Sequence, residues 1–201
     1  MAKEIEVKFK VASFQAIRKK LRAAGARLVG QAFERTVRLD TPDNLLERTQ
    51  RFLRVRTGFK NALTFKQKLP SARRTFKERE EIETEIDDPQ QMMAILNRLG
   101  LTKQWVMEKR RQKWQLSKAE VVLDRLPFGN FVEIEGNPAA IVKTEKILGL
   151  NPFQRITLTY WDLWRQARRP ENAKNEHILF ENSAKPRRKR DGAPTRSRTW
   201  I

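Results

Sequence analysis

An α+β fold, in which helices cover one side of an antiparallel sheet, follows from two patterns in this 201-residue chain. Several segments alternate charged and apolar residues with the period of a strand that is wet on one face. Three other segments carry apolar stripes at helical spacing and end on glycine. A third feature ties the two together, because the triplet Glu-Ile-Glu occurs at Glu4–Glu6, Glu81–Glu83 and Glu133–Glu135. In a strand each copy puts two carboxylates on one face and an isoleucine on the other. Such a strand presents oxygen ligands suited to a hard divalent cation while its isoleucine packs against a helix-covered core.

The first helix is expected over residues 13–24, where Phe14, Ile17 and Leu21 form a stripe before Gly25. A second begins at Asp88, a good N-cap, with Pro89 in the first helical position, Met92, Met93, Leu96 and Leu99 as core residues, and Gly100 at the end. The third repeats that grammar from Asn137-Pro138 through Ile141 and Leu148 to Gly149. Strands are predicted over residues 52–57, 62–68, 75–86, 104–115, 120–124 and 130–135. In the first of these Arg54 and Arg56 oppose Leu53 and Val55; in the second Lys66 and Lys68 oppose Leu63 and Phe65. Lys109 and Arg111 likewise share a face. If these charged faces look into bulk water they are an ordinary surface. If the sheet closes on itself, both signs of charge lie inside and must be compensated by each other, by metal or by ligand.

Composition narrows the class. A hydrophobic content of 39% supports a real core, and the absence of cysteine excludes disulfides and thiolate metal sites. No apolar run is long enough to span a bilayer, and the start lacks a secretory signal, so the expected location is cytoplasmic. The formal net charge of +19 predicts a polyanionic partner. Residues 166–201 are rich in Arg, Lys, Asn, Pro and Ser and include the run Lys185–Arg190. They are expected to form a disordered basic tail with weak polyanion binding, and the lone His177 within them is expected to lack partners. Tryptophans 105, 114, 161 and 164 are read as packing residues rather than base-stacking platforms.

The opening Glu4-Ile5-Glu6-Val7-Lys8 resembles the Glu-x-Glu-x-Lys motif of the CYTH superfamily, the triphosphate tunnel metalloenzymes. Further matches follow in the family's order: Leu53-Arg54-Val55-Arg56, Thr64-Phe65-Lys66-Gln67-Lys68, Arg79-x-Glu81-x-Glu83, Lys109-x-Arg111, Asp124, then Phe128 to Glu135 and Tyr160-Trp161-Asp162-Leu163. The resemblance covers residues 1–165. It implies an eight-stranded antiparallel β tunnel or barrel with helices outside, holding a triphosphate and Mg²⁺ or Mn²⁺. Carried onto this chain, it makes Glu4, Glu6, Glu133 and Glu135 the metal ligands and Lys8, Arg54, Arg56, Lys66, Lys109 and Arg111 the triphosphate-binding set. It assigns catalysis to Lys66 and Asp124, and leaves Glu81 and Glu83 to a second metal or to ion pairing.

The implied activity is hydrolysis of tripolyphosphate, thiamine triphosphate or another organic triphosphate such as ATP. A class IV adenylyl cyclase is the alternative within the family, and a non-catalytic polyphosphate- or RNA-binding module is the alternative outside it. Two departures bear on the choice. Only Met1-Ala2-Lys3 stands where bacterial class IV cyclases carry a His-Phe pair, and an aromatic that precedes an early Asp-x-Pro in the family is replaced in Val37-Arg38-Leu39-Asp40-Thr41-Pro42.

Overall fold

In a computed structural model, which describes residues 2–69, 76–167 and 177–181, eight antiparallel strands close in a ring. In chain order they are β1 (Ala2–Val11), β2 (Arg27–Asp40), β3 (Arg51–Thr57), β4 (Ala62–Lys68), β5 (Lys77–Glu85), β6 (Thr102–Leu116), β7 (Ala119–Leu126) and β8 (Gly129–Glu135). Around the ring the order is β1-β5-β4-β3-β2-β6-β7-β8, with β8 pairing back onto β1. Closure leaves no sheet edge at the seam, and it turns the charged faces of all eight strands inward. The helices are α1 (Gln15–Ala23), the single turn α2 (Leu45–Arg48), α3 (Pro89–Arg98), α4 (Pro138–Leu148) and α5 (Tyr160–Ala167).

The helix signals act as written. The Asp88 carboxylate accepts from the backbone N–H groups of Gln90 and Gln91, and the Asn137 side chain accepts from Ala140 N–H, each followed by proline at the first turn. Gly149 closes α4 at φ +64°, a left-handed conformation that favours glycine. Helices α1 and α4 lie together on the outer face of β1, β7 and β8. There Ile17, Leu21, Ile141 and Leu148 meet Val7, Phe9, Val121, Leu123, Val132 and Ile134, with Trp114 packed alongside. Helix α3 covers Leu39 and Val55 through Leu96.

Coverage by helices is uneven, and this corrects two expectations about the core. Ile134 is fully buried as predicted and Ile5 packs at the edge of the same core, but Ile82 of the second acidic triplet is 51% exposed because no helix crosses β5 there. Leu99, assigned to the core, is 72% exposed just beyond α3. Part of the expected tail is also ordered. β7 pairs only with residues 110–116 of β6, so the earlier half of that long strand has a free edge. Ile178 fills it: its N–H donates to Val106 O at 2.8 Å and its carbonyl accepts from Glu108 N–H at 2.8 Å. His177 Nδ1 accepts from Val106 N–H, so this histidine has a partner after all. The rest of the expected tail, including Lys185–Arg190, lies outside the described residues, as do residues 70–75, the last of which begins the third predicted strand.

Inside the ring, burial of charge is tolerated by pairing. Glu34 on β2 is almost fully buried, yet Lys109, Arg111 and Arg56 converge on it at 3.3, 3.7 and 3.5 Å. Burial alone raises a carboxylate's pKa, but these cations outweigh it and hold Glu34 down to about 2. Ordinary glutamate titrates near 4.5, so the stabilisation is present above that pH and is lost as pH falls towards 2. Linkage puts it on the order of 3 kcal/mol. Denaturant midpoints followed from pH 5 to 2 are expected to fall steeply for the native chain. Glu34→Gln, less stable at neutral pH, should show a visibly flatter acid limb.

Candidate active site

Alternation and closure together create one large chamber. A cavity of about 1050 Å³ runs inside the ring, and basic side chains outnumber acidic ones along its lining. The carboxylates concentrate on one wall. Glu4 and Glu6 come from β1, Glu133 and Glu135 from its neighbour β8, where Glu6 stands opposite Glu135 and Lys8 opposite Glu133. Cations face them from β3, β4 and β6.

The structure brings all four predicted metal ligands to this wall, and it gives three of them cationic partners. Lys66 Nζ donates to both oxygens of Glu4 at 2.8 and 2.7 Å. Lys77 pairs with Glu6, and Glu133 accepts from Lys8 at 3.1 Å and from Arg111 at 2.7 Å. Burial opposes ionisation of Glu6, but Lys77, Lys8 and Lys66 outweigh it and hold the group at about 2. Glu133 is likewise held well below the usual range, against burial, by Lys8 and Arg111. Glu135 differs. It has no hydrogen-bonded or ion-paired partner among the described residues, and although the residue is exposed, partial desolvation by the surrounding wall followed by the charges of Glu4 and Glu120 lifts it to about 7. Glu4 also rises, first through burial and then through Glu6 and Glu81, despite Lys66.

This wall therefore carries more negative charge than its lysines neutralise. A hard divalent cation with oxygen ligands answers that imbalance, and the donor set fits one chemically. As placed, no three carboxylates among the described residues stand in a ligating arrangement, since Lys66 and Lys77 lie between them.

The middle pair is held by ion pairs. Glu81 accepts from Lys66 at 2.9 Å, while Glu83 accepts from Arg56 at 3.0 Å, Thr64 at 2.9 Å and Lys60 at 3.2 Å. Arg54 lies 3.9 Å from Glu83, its Nε is buried without a partner, and burial followed by Arg56 lowers its pKa. Asp124 is fully buried and lies behind the cavity lining. Its oxygens accept from Arg111 at 2.7 and 2.5 Å, Lys109 at 3.2 Å and the Tyr160 hydroxyl at 3.0 Å.

Several residues inside the ring carried no signal in the sequence reading. Glu34 and Arg38 belong to β2, whose inner face reads Glu34, Thr36, Arg38, Asp40. Lys77 precedes the recognised Arg79-x-Glu81 by one inward position. Part of the lining is aromatic, where the Trp105 and Trp161 rings stack at 4.8 Å beside Phe52 and Met107, with the Arg38 guanidinium over Phe52 and Trp105. These tryptophans thus pack, as predicted, but also line the cavity, and Trp105 Nε1 is buried without a partner.

Comparison with known proteins agrees with this architecture. A protein of Methanocaldococcus jannaschii, provisionally named an adenylate cyclase, is 26% identical over 147 residues, spanning 72% of this chain and 83% of its own. The PH1012 protein of Pyrococcus horikoshii has the same fold with a TM-score of 0.67 and 30% identity, over 78% of this chain and 96% of that one. A Hippeastrum protein, described as a provisional adenylyl cyclase with a dominant triphosphatase activity, superposes with a TM-score of 0.61 over 83% of this chain and 97% of its own; at 19% identity it speaks to the fold alone. The CYTH domain profile matches residues 2–151, from the first acidic strand to the end of α4, and the chain belongs to the CYTH domain family.

Proposed function

We propose that the chain is a divalent-metal-dependent enzyme that binds a triphosphate inside the ring and hydrolyses it. The observation that carries this reading is the division of one enclosed cavity into a carboxylate wall on β1 and β8 and a cation wall on β3, β4 and β6. A triphosphate carries about four negative charges near neutral pH and leaves water only for fixed donors and a metal. Arg54 and Arg56 offer forked donors to phosphate oxygens, while Lys8, Lys66, Lys109 and Arg111 supply further charge. Glu4, Glu6, Glu133 and Glu135 would hold Mg²⁺ or Mn²⁺, which polarises the reacting phosphorus and offsets charge developing on its oxygens.

Both Lys66 and Lys77 stand on carboxylates assigned to the metal, so the lysines act as resident counter-ions. On loading they turn to the incoming phosphate oxygens, and Lys66 then stands beside the reacting group. Asp124, with both oxygens engaged, fixes Arg111 and Lys109 in place rather than presenting a free base to the nucleophile. Glu81 and Glu83 serve as ion-pairing partners of Lys66 and Arg56.

A second reading, cyclisation of ATP, is favoured by the aromatic part of the lining at Trp105, Trp161 and Phe52, which gives the chamber room for an organic group, and by the name of the Methanocaldococcus relative. The two chemistries share one cradle and differ in the nucleophile: water at the terminal phosphorus, or the ribose 3′-hydroxyl at the α-phosphorus. Product analysis separates them, with orthophosphate from hydrolysis and cyclic AMP plus pyrophosphate from cyclisation.

Purified protein is expected to release phosphate from tripolyphosphate in Mg²⁺ or Mn²⁺ and to stop when the metal is chelated. Glu4→Gln and Glu6→Gln should each lose at least about a hundredfold in turnover, the scale of removing a preorganised electrostatic group. Turnover that survives either substitution sinks the metal assignment. Arg54→Ala and Arg56→Ala should raise KM for tripolyphosphate, and a steady-state series in rising salt should show affinity falling with ionic strength. Binding of RNA that persists in chelator, with no turnover of any triphosphate, would favour a non-catalytic module instead.

A further inference from the structure

The segment that leads into α5 touches Lys8 of β1 and, through Tyr160 at the helix start, Lys109 of β6. Ile156 N–H donates to Lys8 O at 2.8 Å in an isolated antiparallel bridge, and Leu158 O accepts from Lys8 Nζ at 3.2 Å. Two residues on, the buried Tyr160 ring lies under Lys8 Nζ at 4.4 Å and within 5.6 Å of Lys109 Nζ. Its hydroxyl donates to Asp124 Oδ2 at 3.0 Å, the oxygen that also accepts from Arg111 and Lys109. Phe131 meets the ring nearly edge-on at 5.1 Å, so the ring has little freedom to turn.

We propose that Tyr160 is a positioning residue: its ring seats Lys8 and Lys109, and its hydroxyl fixes the Asp124 carboxylate and so the Arg111 fork. The geometry is economical. A buried ammonium that gives up water needs partners in several directions, and Lys8 has the Glu133 carboxylate on one side, a carbonyl on another and an aromatic face on a third. The third direction is the one that keeps its charge pointed at the cavity rather than sunk fully into Glu133. The short segment at the start of α5 thereby sets the aim of three cations on two strands that are not neighbours. The inference rests on the triphosphate reading for what those cations bind, but not for how they are held.

The test uses Tyr160→Phe, which keeps the ring and removes the hydroxyl, and Tyr160→Leu, which removes both, in the full chain. Tripolyphosphate affinity by calorimetry should weaken about tenfold in Tyr160→Leu, the scale of losing a desolvated cation–π contact. Tyr160→Phe should stay within about threefold of the native chain in affinity and show its defect in kcat, through a looser Arg111. A second readout needs no substrate: in Tyr160→Leu, acetic anhydride should label Lys8 faster while Lys20, held remotely by Leu148 O at 2.7 Å, labels at the native rate. Equal labelling of Lys8 in all three proteins, or Lys8 and Lys20 rising together, overturns the positioning role. Absence of tripolyphosphate binding by the native chain overturns the triphosphate reading instead, and the labelling result still decides the role of Tyr160.

Discussion

Charge enclosed by a closed sheet has no bulk water to fall back on, and that constraint organises this molecule. The Born cost of an isolated buried ion far exceeds the net stability of a domain, which is only about 5–15 kcal/mol. Most inward charges therefore sit against an opposite charge, usually one on another strand. Antiparallel register decides which one each finds. Lys66 stands directly across from Glu81 and reaches over to Glu4, and Arg111 stands across from Asp124 and reaches to Glu133. A slip of one residue in any strand would send its charges into the outer core and its valines and leucines into the chamber. The polar interior is thus a strong specifier of register, alongside the apolar exterior under α1, α3 and α4.

Pairing inside the ring is uneven. Glu34 and Asp124 sit at the wall itself, almost without exposure, and each collects several cations. They behave as fixed anchors. Towards the cavity the pairs are looser in composition: one lysine bridges Glu4 and Glu81, Arg54 reaches its carboxylate only at 3.9 Å, and Glu135 has no partner among the described residues. Stability is concentrated behind the lining and incompleteness in front of it. A buried site that must accept a ligand has to keep some groups poorly satisfied, because a fully paired network leaves the ligand nothing to gain.

Much of this was legible in the residues. The Asp-Pro and Asn-Pro helix starts, the alternation of β3 and β4, and the three acidic triplets state their structures locally. β2 does not. Its inner positions, Glu34, Thr36, Arg38 and Asp40, are polar, but its outer positions run Val29, Gln31, Phe33, Arg35, Val37, Leu39, so only the last two write an apolar period, too short to mark the strand. Its strand character comes from 13 paired positions with β6, a tertiary fact. Ile178 was invisible for a related reason: a few residues in a basic stretch gain order only because β6 outruns β7 and leaves an edge to fill. Many of the charged cavity residues were readable from motifs, Arg38 and Lys77 excepted, but their partners were not, since no spacing within one strand says that Lys77 will stand on Glu6 or that Tyr160 will reach Asp124.

The positive charge that lines the chamber takes on a different meaning beside its partners. On an open surface it would repel itself and be screened over about 8–10 Å. Within the ring it is held at short range against carboxylates that it does not fully match in position, so two imbalances coexist: too much negative charge at Glu4 and Glu135, and too few acceptors around Arg54. A metal alone would relieve the first and aggravate the second, and an anion alone would do the reverse. A complex of both relieves the two together, which is the electrostatic argument for the proposed metal-bound polyphosphate over either component separately.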